Sequence, residues 1–386
     1  MEFIPYGRHT ITDEDISMVV SSLKGKCITQ GNIVPDFEKQ IAKKVLSEHA
    51  IATNSATSAL HLACLSLDLK EGDILWTSPI SFVASANCAL YCNAKVDFVD
   101  IDSDTGLLSI DKLSYKLKKA ERNNCLPKIL IPVHLAGSSC DMIEIKKLAD
   151  KYNFKIIEDA SHAIGGKYFN DYVGCCKYSD ISVFSFHPVK IITTGEGGMI
   201  TTNQDSLYHK MIDLRSHGII KDPERFSQPF EGMWHYEQTQ LGFNYRLTDI
   251  QAALGLSQLK RLDSIVAERN KQLNIYKDLL KDLPIKFLST PDGVYSAVHL
   301  AIIILDKSRA EEHAKLFNKL RGLNIGVQLH YKPIHTQPYY KLQGFNDDDF
   351  PNSLNYSKTA FSIPIFPGLS YKEQLYVCNC LLKILN

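Results

Sequence analysis

The segment Phe184-Ser185-Phe186-His187-Pro188-Val189-Lys190 places a lysine just after an apolar, β-rich run and just before Thr193-Thr194-Gly195-Glu196-Gly197-Gly198. Most lysines are solvated surface residues. Between apolar runs, beside glycines that permit tight turns and close backbone approach, an amine can lose its proton more readily and act as nucleophile and base. Upstream, Asp159 follows the apolar run Phe154–Glu158, with Ser161 and His162 just beyond. An acid in that place is often a cap or turn residue; its chemical use would be to keep a buried cation charged. A third segment, Asn54-Ser55-Ala56-Thr57-Ser58, leads from a short apolar run into an Ala- and Leu-rich stretch. Backbone N–H groups and hydroxyls at a helix start can take a phosphate. The commoner use of such residues is a plain helix cap by Asn54 or Ser55.

Taken together in this order, an activated amine, an acid for a buried cation and a phosphate cradle suit pyridoxal phosphate. The cation would be its pyridinium nitrogen, which Asp159 would keep protonated so that the ring draws electrons. His162, as a lone histidine, is more often structural than chemical.

The elements that must position these residues follow from hydrophobic patterning. Apolar strands are expected at His49–Thr53, Asp73–Thr77, Lys95–Val99, Lys128–Val133, Phe154–Glu158, Asp180–Phe186 and Met199–Thr202. Helices are expected at about 12–24, 56–67, 81–92 and 140–152. Strands apolar on both faces and separated by helices predict a largely parallel sheet covered on both sides, with right-handed crossovers. Chemistry then gathers beyond the carboxyl ends of the strands. From Asp249 to Leu280 one long helical stretch is expected. A strand at His299–Leu305, a helix over 309–321, a strand at Ile325–Leu329 and a helix over 371–384 follow it. This reads as an α/β domain over 1–250 and a smaller α+β domain over 251–386.

Composition narrows the function. The 386 residues carry 43 basic and 43 acidic side chains, a balance that gives no support to nucleic-acid binding. No apolar run is long enough to span a bilayer, and no secretory pattern opens the sequence. The ten cysteines show no paired C-x-x-C spacing, so neither a structural zinc site nor a disulfide framework is expected. A cytoplasmic enzyme without a metal fits these features.

The chain resembles the nucleotide-sugar aminotransferases of the fold-type I pyridoxal-phosphate superfamily. The resemblance runs nearly end to end through Ile4–Arg8, Leu23–Gly31, Asn54–Leu60, Glu158–Gly165, Ser185–Gly198, Arg215–Gly218, Gly242–Leu259 and Val327–Ile334. Within the family it is most similar to enzymes of pseudaminic acid biosynthesis. Related sugar dehydratases carry His where the transaminases carry Lys, and here that residue is Lys190. Leu329, before His330, stands where a β-branched residue is more usual, and it replaces no group with a chemical role.

The resemblance implies pyridoxal 5′-phosphate as cofactor, passing through its pyridoxamine form. Lys190 would tether it and shuttle protons, and Asp159 would pair with the pyridinium. Ala56, Thr57, Ser58 and Ser185 would hold the phosphate, Phe82 would stack on the ring, and His162 would lie near its O3′. Asn244 would reach the phosphate site of a neighbouring subunit, which implies a homodimer with shared active sites. Tyr6, Arg215, His217, Tyr245, Arg246, His330 and Tyr331 are candidates for a UDP-4-keto sugar, with L-glutamate as amino donor. For Arg215 and Arg246 an ordinary structural ion pair is the competing reading.

Overall fold

The computed structural model describes residues 2–385. Its centre is a seven-stranded sheet of β1 (His49–Thr53), β2 (Ile74–Thr77), β3 (Lys95–Phe98), β4 (Ile129–Ile131), β5 (Lys155–Asp159), β6 (Ile181–Ser185) and β7 (Gly198–Thr202). The order across the sheet is β1-β7-β6-β5-β4-β2-β3. The pairs β2/β3, β2/β4, β4/β5 and β5/β6 are parallel, and β7 runs antiparallel to both its neighbours. β4, β6 and β7 are buried along their whole length, as apolar strands covered on both faces must be.

Around the sheet lie α1 (Asp13–Lys24), α2 (Ile33–Val45), α3 (Ala56–Ser66), α4 (Ala84–Tyr91), α5 (Ile110–Arg122), α6 (Met142–Tyr152) and α7 (Asp205–Arg215). The helix α1 begins with a capping box in which Thr12 and Asp15 satisfy each other's backbone N–H groups.

The helical stretch expected over 249–280 is two helices, α8 (Asp249–Leu259) and α9 (Leu262–Leu279). Arg261 between them leaves helical geometry, and its guanidinium meets the fully buried Asp15 at 2.7 Å. Asp249, the first residue of α8, accepts the N–H groups of Gly31, Ile33 and Val34 and so caps α2 from across the fold. Core membership changes inside α9: Leu262, Ile265 and Val266 pack with Phe37, Phe184 and Phe186, whereas Tyr276 packs with Ile303 and Phe361. The large core therefore extends past residue 250.

The second core surrounds a three-stranded antiparallel sheet of β8 (Ile285–Phe287), β9 (Ala301–Leu305) and β10 (Ala360–Ile363), with α10 (His313–Gly322) and α11 (Tyr371–Leu385). The strand expected at 325–329 does not form. Ile325 makes a single bridge to Ile4, and Gln328 one to Ser362. The segment is shared between the N-terminal arm and β10, so neither ladder continues along it. Ile4 thereby joins the C-terminal core.

Candidate active site

Three strand ends bring the site together. At the carboxyl end of β5, Asp159 turns its side chain into a buried space and accepts the hydroxyl of Ser85 (2.5 Å) and the N–H of Ser161 (3.1 Å). Side chains alternate along a strand, so Glu158 points the other way, where it meets His134 at 2.7 Å. At the end of β6, Ser185 stands in register with Gly198 at the start of β7. At the end of β1, the chain turns into α3.

That turn is both a cap and a cradle. Ser55 is the cap residue, its hydroxyl accepting the Ser58 N–H, while the Ser58 hydroxyl donates to Asn54 at 2.7 Å. The first N–H groups of α3, at Ala56 and Thr57, have no intrahelical partner, as at any helix start. Gly198 lies directly against this turn. A Cβ built there would sit 2.6 Å from the Ser55 carbonyl and 2.7 Å from the Ala56 nitrogen. Register thus sets Ser185, Gly198 and the α3 N-terminus side by side, an arrangement whose free N–H groups and hydroxyl suit an anion.

Lys190 follows β6 in a turn closed by its own N–H to the His187 carbonyl, 2.9 Å. Part of its surface opens to the cleft, but its amine is desolvated. That burial pulls its pKa from the usual lysine range down to about 8, against the opposing pull of the nearby Asp159 carboxylate. Around it stand His162, His299 and His330, all buried, and all held below the ordinary histidine range by desolvation, then by the charge of Lys190 for His162 and His330 and by His162 and Lys190 for His299. Tyr331 shares this space. Its hydroxyl lies 3.1 Å from His162 Nε2, and burial followed by the Asp159 charge raises its pKa.

Phe82, exposed to the cleft, has its ring 6.3 Å from that of Tyr331. Tyr6 lies 5.0 Å from the His330 ring, and His330 is fixed by the Ser362 hydroxyl at 2.8 Å. Lys190, Asp159, His162, Phe82, Tyr6, His330 and Tyr331 therefore form one neighbourhood, with Ser185 and the Ala56–Ser58 turn adjoining.

Other candidates sit differently. Tyr245 stacks on Phe243 and faces His61 with its hydroxyl, while Asn244 is exposed and receives Asn54 on its carbonyl. His217 is exposed at a left-handed turn, and Arg246 is half-buried. Arg215 is engaged within the fold. Its guanidinium is 2.6 Å from Glu38 and 2.9 Å from the Ala52 carbonyl, with both ion-pair side chains largely buried. This ion pair lies at the edge of the sheet.

Sequence reasoning missed Ser81, Ser85 and His299. Ser85 lies in the first turn of α4 and Ser81 in the segment leading into it, and two small polar residues four apart at an apolar helix entry were the available signal. His299 packs its ring 4.4 Å from that of His162, and nothing in its apolar neighbourhood marked it.

The model of the DegT/DnrJ/EryC1/StrS aminotransferase family matches residues 9–382. The chain belongs to this family. It is 38% identical over 384 residues to the UDP-4-amino-4,6-dideoxy-N-acetyl-β-L-altrosamine transaminase of Campylobacter jejuni, covering 99% of this chain and 98% of that protein. Its structure superposes on Helicobacter pylori PseC, an aminotransferase involved in the biosynthesis of pseudoaminic acid, with a TM-score of 0.91 and 31% identity over 100% and 99% of the two chains. It also matches a putative sugar aminotransferase, Spr1654 from Streptococcus pneumoniae. The PLP-form gives TM-score 0.89 and 26% identity over the full length of both chains. The PMP-form gives 0.91 and 27%, over 99% and 98%.

The protein is thus a sugar aminotransferase that uses pyridoxal 5′-phosphate. Its own residues fit that group: a desolvated lysine amine, a carboxylate with fixed oxygens, and a helix start kept open by a glycine whose Cβ would clash. Among the described residues no helix is long and apolar enough to cross a membrane.

Proposed function

We propose that this aminotransferase moves an amino group from L-glutamate to C4 of a UDP-linked 4-keto-6-deoxy-N-acetyl hexose. The products would be UDP-4-amino-4,6-dideoxy-N-acetyl-β-L-altrosamine and 2-oxoglutarate, a step of pseudaminic acid biosynthesis, catalysed by a cytoplasmic homodimer with shared active sites. The observation that carries the amination is Lys190, a desolvated amine with a pKa near 8 beside the Asp159 carboxylate. The sugar rests on the end-to-end likeness to the Campylobacter transaminase.

In this reading Lys190 is the covalent anchor of the cofactor and Asp159 the partner of its ring nitrogen. The N–H groups around Ala56–Ser58, with Thr57 and Ser185, hold the phosphate, and Asn244 serves the partner subunit's phosphate. When bound, pyridoxal phosphate supplies the electron sink and carries the amino group between substrates. The Lys190 amine takes the proton from Cα of the donor and later delivers one to C4 of the sugar. Such placed proton transfer contributes roughly 10²–10⁴-fold. His162 would lie near the ring's O3′, and Phe82 would stack on the ring. Tyr6, His330 and Tyr331 border the cleft for the sugar, with His217, Tyr245 and Arg246 as outer contacts.

Two other readings are outcomes of one experiment. The protein is incubated with glutamate and several UDP-4-keto sugars, 2-oxoglutarate is assayed, and products are identified by NMR. The expected result is the altrosamine product with the highest kcat/KM. Preference for a bacillosamine- or 4-amino-arabinose-type sugar would overturn the sugar assignment. A deoxygenated keto sugar, with ammonia set free in place of a retained 4-amino group, would indicate a dehydratase.

A further inference from the structure

Ser81 and Ser85 lie where the chain enters α4, on the same turn that presents Phe82 to the cleft. Both serines are buried, Ser85 completely. Their oxygens are 2.6 Å apart, and Ser85 Oγ is 2.5 Å from Asp159 Oδ2. A serine hydroxyl has one proton to give. Three acceptors compete for that of Ser85: the Asp159 oxygen at 2.5 Å, the Ser81 oxygen at 2.6 Å and the Phe82 carbonyl at 3.3 Å. The nearest, charged acceptor takes it. Ser85 can then only accept from Ser81, which fixes the direction of the chain as Ser81 to Ser85 to Asp159.

From the other side the Ser161 N–H holds Oδ1 at 3.1 Å. Both oxygens of Asp159 are thus pinned by protein donors from two different elements, which sets the plane of the carboxylate. Each oxygen keeps a lone pair for a further partner. Hydrogen bonds in series polarise one another, so Ser81 strengthens what Ser85 does.

We propose that Ser85, backed by Ser81, is the positioning residue that aims the Asp159 carboxylate at the cofactor's ring nitrogen. The inference rests on the assignment of Asp159 as that nitrogen's partner. It makes the turn over 81–85 a single device, with one side chain facing the ring and another orienting the group beneath its nitrogen. Ser85 touches neither substrate nor cofactor; it acts through Asp159.

The test compares S85A, S85T, S81A and D159N with the parent. Apo protein is titrated with pyridoxal phosphate, the bound cofactor's absorbance is followed against pH, and kcat and KM are measured separately. Losing a hydrogen bond to a buried charge should weaken cofactor binding roughly tenfold and lower kcat roughly 10- to 100-fold in S85A. The sugar KM and the melting temperature of the apo protein should stay near parental values. S85T keeps the hydroxyl and should recover most of both losses, while S81A should show a smaller loss in the same direction. The pH midpoint of the bound cofactor's absorbance should move in S85A and return in S85T. If S85A keeps parental affinity, kcat and absorbance midpoint while D159N loses binding and turnover, the relay is wrong and the Asp159 assignment survives. If D159N itself behaves like the parent, the underlying assignment fails. Lower apo stability with no rescue by S85T would make Ser85 a packing residue and overturn the proposal.

Discussion

His162 and Tyr331 are joined edge to hydroxyl, with 3.1 Å between Nε2 and the tyrosine oxygen, while the other ring nitrogen of His162 accepts the Ala136 N–H at 3.3 Å. A nitrogen that accepts a backbone N–H carries no proton, so the hydrogen of His162 resides on Nε2 and is offered to Tyr331. The ring is neutral, in agreement with the depressed pKa that burial and then Lys190 impose on it.

A pH dependence of stability follows. His162, His299 and His330 all titrate lower in the folded chain than the usual 6.5, His330 near 3. The unfolded chain therefore binds more protons between those values and about 6.5. The stability they contribute is complete above that point and is lost as pH falls below it, by up to about 1.4 kcal/mol per pH unit for each histidine. Urea unfolding of the apo protein from about pH 7.5 to about pH 5.5 should show this fall, less steep in His299→Gln. A flat profile would contradict the buried-histidine cluster.

Lys190 gives a sharper signature. In apo protein its amine should react with a neutral-amine reagent with a midpoint near pH 8, well below a surface lysine. Asp159 is the group that raises that value, so D159N should move the midpoint further down. A midpoint that rises or stays fixed in D159N would separate the two residues. Lys190→Ala should lose turnover by at least about 10³-fold. It should also lose any borohydride-reducible link to the cofactor, as measured by mass spectrometry.

Gly198 tests the cradle. Its Cβ would push against Ser55 and Ala56 backbone atoms, which cannot swing aside as a side chain can. Gly198→Ala should therefore open the contact between β7 and α3 and weaken cofactor binding roughly tenfold or more, the scale of a lost charge-assisted hydrogen bond. Fluorescence titration of the apo variant measures this. Unchanged affinity would remove the α3 N-terminus from the phosphate site.

Lys190, Asp159 and the Asn54–Ser58 turn were legible in the sequence because each sits at the end of an apolar run, and that context is local. The largely parallel sheet was legible for the same reason. What stayed hidden depends on tertiary contact. Ser85 looks like any serine in a small-residue helix until β5 brings Asp159 to it. Asp249 reads as a helix opener, yet it also caps α2, more than two hundred residues away in sequence. The apolar run 325–329 has strand character, but the N-terminal arm and β10 divide its hydrogen bonds. Arg215 was ambiguous because an arginine beside a histidine and a glycine suits either a phosphate or a carboxylate.

The contacts Arg215 makes favour the structural role. β1 is an edge strand, so one side of its backbone lacks a ladder. Glu38 accepts the Ala52 N–H at 2.8 Å, and Arg215 donates to the Ala52 carbonyl at 2.9 Å, with the two side chains paired at 2.6 Å. The ion pair therefore closes the open edge of β1 just before the turn into α3. Arg215→Ala should destabilise the fold by about 3 kcal/mol, because it strands a largely buried carboxylate and a backbone carbonyl. Arg215→Lys should recover part of this, since a lysine can pair with Glu38 but cannot fork to the carbonyl as well. The KM for the UDP-sugar should change little in either variant. Urea unfolding and steady-state kinetics on the same preparations decide it: a raised sugar KM at unchanged stability would return Arg215 to the substrate site.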